Sequence, residues 1–243
     1  MVMESPNHGI VAGGGARIAN IKYLGWHCNN DGIRVGGGSE IRDSFLRCVD
    51  DHFYNFNIHA HGLTLWAGHN GAILTYGWGG NGTYNSGASL LENIDIIHPE
   101  WTSLGNNNGL AASQIDLDYK PYGYGGDTTT ILRDIRIEGA IPGLLNLKPR
   151  SSGQGILAPP VPSDEVGYLG DLVLEDIDVD GQFGKSQIRG KAEASIDKKK
   201  TFFVQNVRVA RLRIGEQAVT ESNKSDFFEI DAPTVRGIRF EAF

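Results

Sequence analysis

Eight short stretches of this 243-residue chain read alike. "RIANIKYLGW", "EIRDSFLRCV", "HGLTLWAG", "LLENIDIIH", "ILRDIRIEG", "LVLEDIDVDG", "FFVQNVRVARL" and "TVRGIRFEAF" each place Asn, Asp or a small residue beside an alternating apolar run. With Asn20, Asp43, Thr64, Asn93, Asp134, Asp176, Asn206 and Gly237 as markers, the numbering advances in steps of 23, 21, 29, 41, 42, 30 and 31. A unit of this size cannot bury an apolar face alone and must complete its core against the next. The even early steps and longer late ones describe one coil per unit with insertions, or a further coil hidden inside a long step. The fold this predicts is all-β, a right-handed parallel β-helix or solenoid, with residues 1–243 as one domain. An antiparallel sandwich would want turns about every 8–12 residues, closer than these units lie. The composition agrees, because 33 Gly, 2 Met and the lack of sustained heptads argue against a helical bundle.

The charge narrows the partners. A formal net charge of −7 disfavours nucleic acid, whose binding needs clustered Lys and Arg, and suits a neutral substrate. The one basic run, Lys198 to Lys200, reads as a solvated loop. No apolar segment is long enough for a bilayer helix, so no membrane partner is expected, and "MVMESPNHGIVAGGG" lacks the pattern of a secretory signal. Asn81 and Asn223 begin glycosylation sequons, which are weak signs of secretion. The glycine triplets Gly13 to Gly15 and Gly36 to Gly38 lack the Lys-Ser/Thr of a phosphate loop and read as turns. The sequence calls for no cofactor.

A fixed shift of 20 superposes the first three units. Trp26, Leu46 and Trp66 then share a column, as do Cys28, Cys48 and Gly68; Asn30, Asp50 and Asn70; and Asp31, Asp51 and Gly71. Parallel neighbours lie about 4.8 Å apart, so Asp31 is expected beside Asp51, with Asp50 adjacent. Cys28 over Cys48 gives either a disulfide or a stacked pair of thiols. Three converging carboxylates repel one another and raise at least one pKa, which does nothing for folding.

Three explanations remain open for Asp31, Asp50 and Asp51: a calcium site, a solvated turn, or glycoside hydrolysis, which needs one protonated and one ionised carboxyl. The surroundings favour the last. "WHCNND", "DDHFYNF", "HAHGLTLWAGHNG" and "LTYGWGGNGTYN" supply Trp, Tyr, His and Asn, side chains that stack on sugars and bond their hydroxyls. Asn30, Tyr54, Trp66, His69, Asn70, Tyr76 and Trp78 are the candidate substrate-binding residues, and Tyr122 and Tyr124 lie in a loop that could border the cleft. His59 and His61 alternate onto one face, but no third metal ligand has an evident spacing, so they read as ordinary surface with no metal.

"GWHCNNDGI", "IRDSFLRCVDDHFY" and "LTLWAGHNGAILTYGW" resemble the catalytic stretch of glycoside hydrolase family 49, the dextranases and isopullulanases. The resemblance continues more weakly through "LLENIDIIHPEW" and "DFFEIDAPTVRGIRFEAF". It implies a secreted, inverting endo-hydrolase of α-glucan on a parallel β-helix, with catalytic coils over about residues 17–90 and later coils over about 90–243. It also implies Asp50 as general acid, and Asp31 with Asp51 as the pair that positions and deprotonates water. Inversion wants acid and base carboxyls about 6.5–9.5 Å apart. Dextran, α-1,6-linked, is the expected substrate; α-1,4 linkages in pullulan and a non-catalytic carbohydrate-binding β-helix are the alternatives. Two departures from the family stand out. Asn70-Gly71 replaces its Asn-Asp, which implies an altered subsite, and the family's N-terminal β-sandwich and leading coils are missing ahead of the catalytic stretch.

Overall fold

The computed structural model describes residues 2–3, 7–76, 88–105, 107–113, 129–148, 167–190 and 202–242. Most of those residues lie in strands, in two sheets of 12 and 8 strands, and Lys224–Phe227 forms one short helix. The first is dominated by long strands: Ser39–Cys48, Ile58–Ala67, Leu90–Ile97, Thr130–Ile141, Gly167–Gln182 and Phe202–Ile214. The second is built from short ones, including Ile33–Val35, Phe53–Tyr54, Ala72–Tyr76, Gly109–Ser113, Leu145–Leu147 and Ser186–Ile188. Along the chain, these strands fall in the two sheets alternately, and each pairs in parallel with its counterpart from the next pass. The one antiparallel pairing among the described residues is the hairpin joining Ile214 to Gln217. Among the described residues, no helix is long and apolar enough to cross a membrane.

The core follows from the register. Ile41, Ala60, Leu91, Leu132, Leu174, Val209 and Phe240 are paired in turn across successive strands. Leu46, Leu65, Ile96, Ile137, Val179 and Ile214 form a second such ladder, and all of these side chains are buried. Because side chains alternate between faces, one aliphatic residue every second position is enough to fill the space between the sheets.

Each long strand bends at a left-handed residue, and Gly167–Gln182 and Phe202–Ile214 each bend at two, Asp171 with Asp176 and Asn206 with Arg211. Asn20, Asp43, Gly62, Asn93, Asp134, Asp176, Asn206 and Gly237 all have φ between 49 and 62°, and the pairing skips them. Short polar side chains and glycine tolerate this region, which is why those residue types recur there. By register, Asn20, Asp43, Gly62, Asn93, Asp134, Asp176 and Arg211 form one column, and Asp171, Asn206 and Gly237 a second one five positions earlier, so five of the eight sequence markers fall in the first column and two in the second. The exception is Thr64, which lies inside the strand; Gly62 takes the bend, so the second and third steps are 19 and 31 rather than 21 and 29.

The shift of 20 survives in only one sheet. Ile33 pairs with Phe53, and Gly32 donates to the Asp51 carbonyl at 2.8 Å, which sets Asp31 beside Asp51 as expected. In the long sheet, however, Leu24 pairs with Arg47 and Arg47 with Trp66, so the shift is first longer and then shorter than 20. The columns of Trp26 with Leu46 and of Cys28 with Cys48 are therefore wrong. The surplus on the first pass is taken up in the turn at His27, Cys28 and Asn29, where Asn29 is left-handed. Cys28 is exposed there while Cys48 is buried, both as free thiols, so neither the disulfide nor the stacked pair forms. The third unit slips by one more position, which puts Ala72 rather than Gly71 opposite Asp51.

Candidate active site

The three carboxylates sit where the chain passes from the long sheet into the short one. Asp50 and Asp51 lie between Cys48, the end of a long strand, and Phe53, the start of a short one; Asp31 just precedes Ile33 on the neighbouring pass. Asp31 and Asp51 are only 7% and 3% exposed, and Asp50 is half-buried. Each acid is gripped differently. Asp31 Oδ2 accepts the Tyr54 hydroxyl and lies 3.3 Å from His8 Nε2. Asp50 Oδ2 accepts the Asn70 amide at 2.7 Å, and its Oδ1 takes the Asp51 backbone N–H at 3.0 Å. Asp51 Oδ1 accepts the Ala72 N–H at 2.8 Å, which ties the acid to the third pass.

Burial raises the Asp31 carboxyl above its ordinary range, against the pull of the Tyr54 hydrogen bond and the Arg34 charge. Burial also raises Asp50, and the neighbouring Asp31 charge pushes it further. A carboxyl raised by a neighbouring carboxylate is suited to acting as acid while the neighbour acts as base. Burial raises the Tyr54 phenol, so the group stays a proton donor to Asp31. His8 is lowered by burial and then by Arg34, so its ring at Asp31 is neutral in neutral solution. His52, buried just behind, is lowered to about 4 by desolvation.

Gly71 is fixed by geometry. Its φ is +73°, and an added Cβ would stand 2.6 Å from Asp50 Oδ1 and closer still to the Asp51 backbone nitrogen. An Asp in this backbone conformation would collide with the acid pair, so Asn70-Gly71 goes with a tighter turn under the carboxylates.

An aromatic and charged cluster adjoins the acids at the end of the long sheet. The Arg47 guanidinium lies 3.8 Å from the Trp26 ring centroid and 5.0 Å from that of Trp66. Glu100 Oε1 accepts both Arg47 at 3.0 Å and Trp66 Nε1 at 2.9 Å, and His69 approaches the same carboxylate at 3.9 Å. Trp26 remains 54% exposed, leaving an indole surface open to a ligand.

The candidate substrate-binding residues divide accordingly. Trp66, His69 and Asn70 reach the surface around the acids. Asn30 and Tyr54 do not: both are buried, with Asn30 bonded to His27 N and Asn7 O, and Tyr54 packed on Phe56 with its hydroxyl turned to Asp31. A tyrosine within the short strand that follows the acids stays on the inner face, so its contribution runs through Asp31 rather than through a sugar face. Tyr76 closes the strand Ala72–Tyr76. Trp78, Asn81, Tyr122, Tyr124 and Lys198 to Lys200 lie outside the described residues. Sequence reasoning missed His8, Arg34, Arg47 and Glu100. The signal for Arg47 was present, because a charged residue between Leu46 and Cys48 in an apolar strand demands a partner.

Three carboxyls thus meet where the chain passes between the two sheets, near an exposed tryptophan. Comparison with known proteins finds similar sequences among curated proteins. The chain is 26% identical over 146 residues to the isopullulanase of Aspergillus niger, covering 55% of this chain and 25% of that protein. It is 24% identical over 156 residues to dextranases of Arthrobacter sp. strain CB-8 and Arthrobacter globiformis, covering 60% of this chain and 24% of each. The chain thus aligns with about a quarter of the length of these relatives. No family model matches. At family level, the resemblance read from the motifs to glycoside hydrolase family 49 stands.

Proposed function

We propose that this chain carries the catalytic region of an inverting endo-glycoside hydrolase that cleaves α-linked glucan outside the cell, on a right-handed parallel β-helix. The observation that carries the reading is the pair of raised carboxyls beside Asp51, Asp31 raised by burial and Asp50 by burial and the Asp31 charge, in a chain whose relatives are named for glucan hydrolysis. Asp50 is the general acid, because burial and the Asp31 charge both favour its protonated form, and the Asn70 amide aims the carboxyl. Asp31, held by Tyr54, and Asp51, held by the Ala72 N–H, take a proton from one water. That water oxygen bonds to the anomeric carbon as the glycosidic C–O bond breaks on the opposite face, and Asp50 gives its proton to the departing oxygen. The anomeric configuration inverts, and both carboxyls return to their starting states by exchange with solvent. Trp26 and Trp66 offer ring faces for flanking glucose units.

Dextran, with its α-1,6 linkages, is the first substrate to test, and the isopullulanase relative makes α-1,4 bonds of pullulan the second. Incubation of the chain with each polymer and measurement of new reducing ends decides the matter. Release from either, with the first product of opposite anomeric form by NMR, supports the hydrolase. Binding to both polymers with no reducing ends at high protein concentration overturns it in favour of a carbohydrate-binding role.

A further inference from the structure

The outer face of the long sheet carries a second constellation, remote from the acids. Glu40 on Ser39–Cys48 pairs in register with His59 on Ile58–Ala67, and His61 pairs with Glu92 on Leu90–Ile97. Residues two apart on a strand share a face, so these four side chains project together into solvent. The His59 and His61 rings stack with centroids 4.4 Å apart and planes at 27°. His61 Nε2 is 3.1 Å from Glu40 Oε1, and His59 Nε2 is 2.8 Å from Glu92 Oε1. One ligand atom from each of Glu40, His59 and His61 lies within 4.8 Å of the other two. Glu40 was the missing third ligand: it belongs to the preceding pass of the chain, and only the strand register brings it level with His59.

We propose that Glu40, His59 and His61 form a binding site for a zinc-class divalent metal, which clamps two successive passes of the sheet. Zinc–nitrogen and zinc–oxygen bonds of about 2.0–2.2 Å put tetrahedral ligand atoms roughly 3.3–3.5 Å apart. Closing from the observed spacing takes shifts of about an ångström. The side chains are 32, 41 and 29% exposed for Glu40, His59 and His61, so they have the freedom to make them, and solvent can complete the coordination. Two imidazoles and one carboxylate are borderline donors that favour zinc over calcium or magnesium, which want all-oxygen shells. Arg17 approaches Glu40 Oε2 at 3.4 Å, which leaves Oε1 facing His61. Glu92, held by Arg133 Nε at 2.7 Å, orients His59 from the third pass. Glu40 lies eight positions along the strand from Cys48, about 26 Å of backbone path, so the metal takes no part at the acids.

The test is titration of the chelator-treated, tag-free full chain with zinc chloride in a calorimeter, with cobalt(II) as a spectroscopic substitute. The expected result is one equivalent bound, a thermal midpoint that climbs with metal concentration, and the visible band of tetrahedral cobalt. His61→Ala and Glu40→Gln should each weaken binding at least about tenfold, while Asp31→Asn leaves it unchanged. Should His61→Ala fail to fold, the isosteric, surface Glu40→Gln carries the test. Absence of saturable one-equivalent binding, or equal binding by the parent and the Glu40→Gln variant, overturns the proposal. Neither readout depends on polysaccharide hydrolysis.

Discussion

Tyr54→Phe separates the proton chemistry of the acids from their packing. The ring is buried and rests on Phe56 at 5.4 Å and His8 at 6.1 Å, contacts that phenylalanine keeps. What disappears is the hydroxyl donor to Asp31 Oδ2. A hydrogen bond to a charged group contributes about 1.5–3 kcal/mol. That stabilisation belongs to ionised Asp31, because the bond lowers a carboxyl that burial already raises. Losing it raises Asp31 further. If Asp31 acts as base, the acid limb of the pH–rate profile for reducing-end release moves to higher pH. Rates on that limb should fall about tenfold to a hundredfold, while the plateau stays within a few-fold. Stability supplies a readout independent of activity. A carboxyl raised in the folded state binds protons more tightly there than when unfolded, so its stabilising contribution holds at low pH and is lost as pH rises through the folded value. Urea unfolding should therefore show Tyr54→Phe costing more at pH 7 than at pH 4, by about 1.5–3 kcal/mol. Equal losses at both pH values together with an unmoved acid limb would falsify the assignment of Tyr54 as the group that holds Asp31 ionised.

Other outcomes follow from the same geometry. Asp50→Asn should lower the hydrolysis rate by about 10²–10⁴ in the reducing-end assay, because the amide has no acidic proton to give the leaving oxygen; a rate within a few-fold of the parent refutes the acid role. Gly71→Ala should cost about 1–3 kcal/mol in denaturant unfolding and reduce activity, because the new Cβ strains a left-handed residue pressed on Asp50 and Asp51. Leu132→Ala, in the middle of the aliphatic ladder and fully buried, should cost about 2–5 kcal/mol with the site intact, measured by the same unfolding assay.

The column of bends was legible because its signal is local. A left-handed residue inside a strand favours Asn, Asp or Gly, so Asn20, Asp43, Asn93, Asp134 and Asp176 identify themselves, as do Asn206 and Gly237 in the second column, whereas Arg211, which continues the first column, carries no such signal. Thr64 misled because the bend on that pass uses Gly62, whose lack of a side chain hides it among turn glycines. Register is a different kind of information. It depends on how much chain each corner absorbs, and the turn at His27 to Asn29 changed the spacing of the long sheet without disturbing the short one. Asp31 was placed beside Asp51 because they lie on the one short-sheet step of 20, Ile33 to Phe53; the next step, Phe53 to Leu74, is 21.

The same reasoning explains which parts of both sites escaped notice. Asp50 and Asp51 adjoin in sequence and Asp31 lies one short-sheet step away, so their convergence needs one correct spacing. Arg47 meets Glu100 from a distant part of the chain, and Glu40 meets His59 at a step one short of the shift of 20. In a strand, that single position decides the face: under a shift of 20, Glu40 would sit opposite Ala60, an inward position, and the two imidazoles would face no carboxylate from that pass. The metal proposal and the acid cluster therefore rest on different registers of one chain. A zinc titration that fails leaves the short-sheet spacing under Asp31 and Asp51 untouched, whereas an Asp50→Asn variant of undiminished activity leaves the long-sheet pairing of Glu40 with His59 as it is.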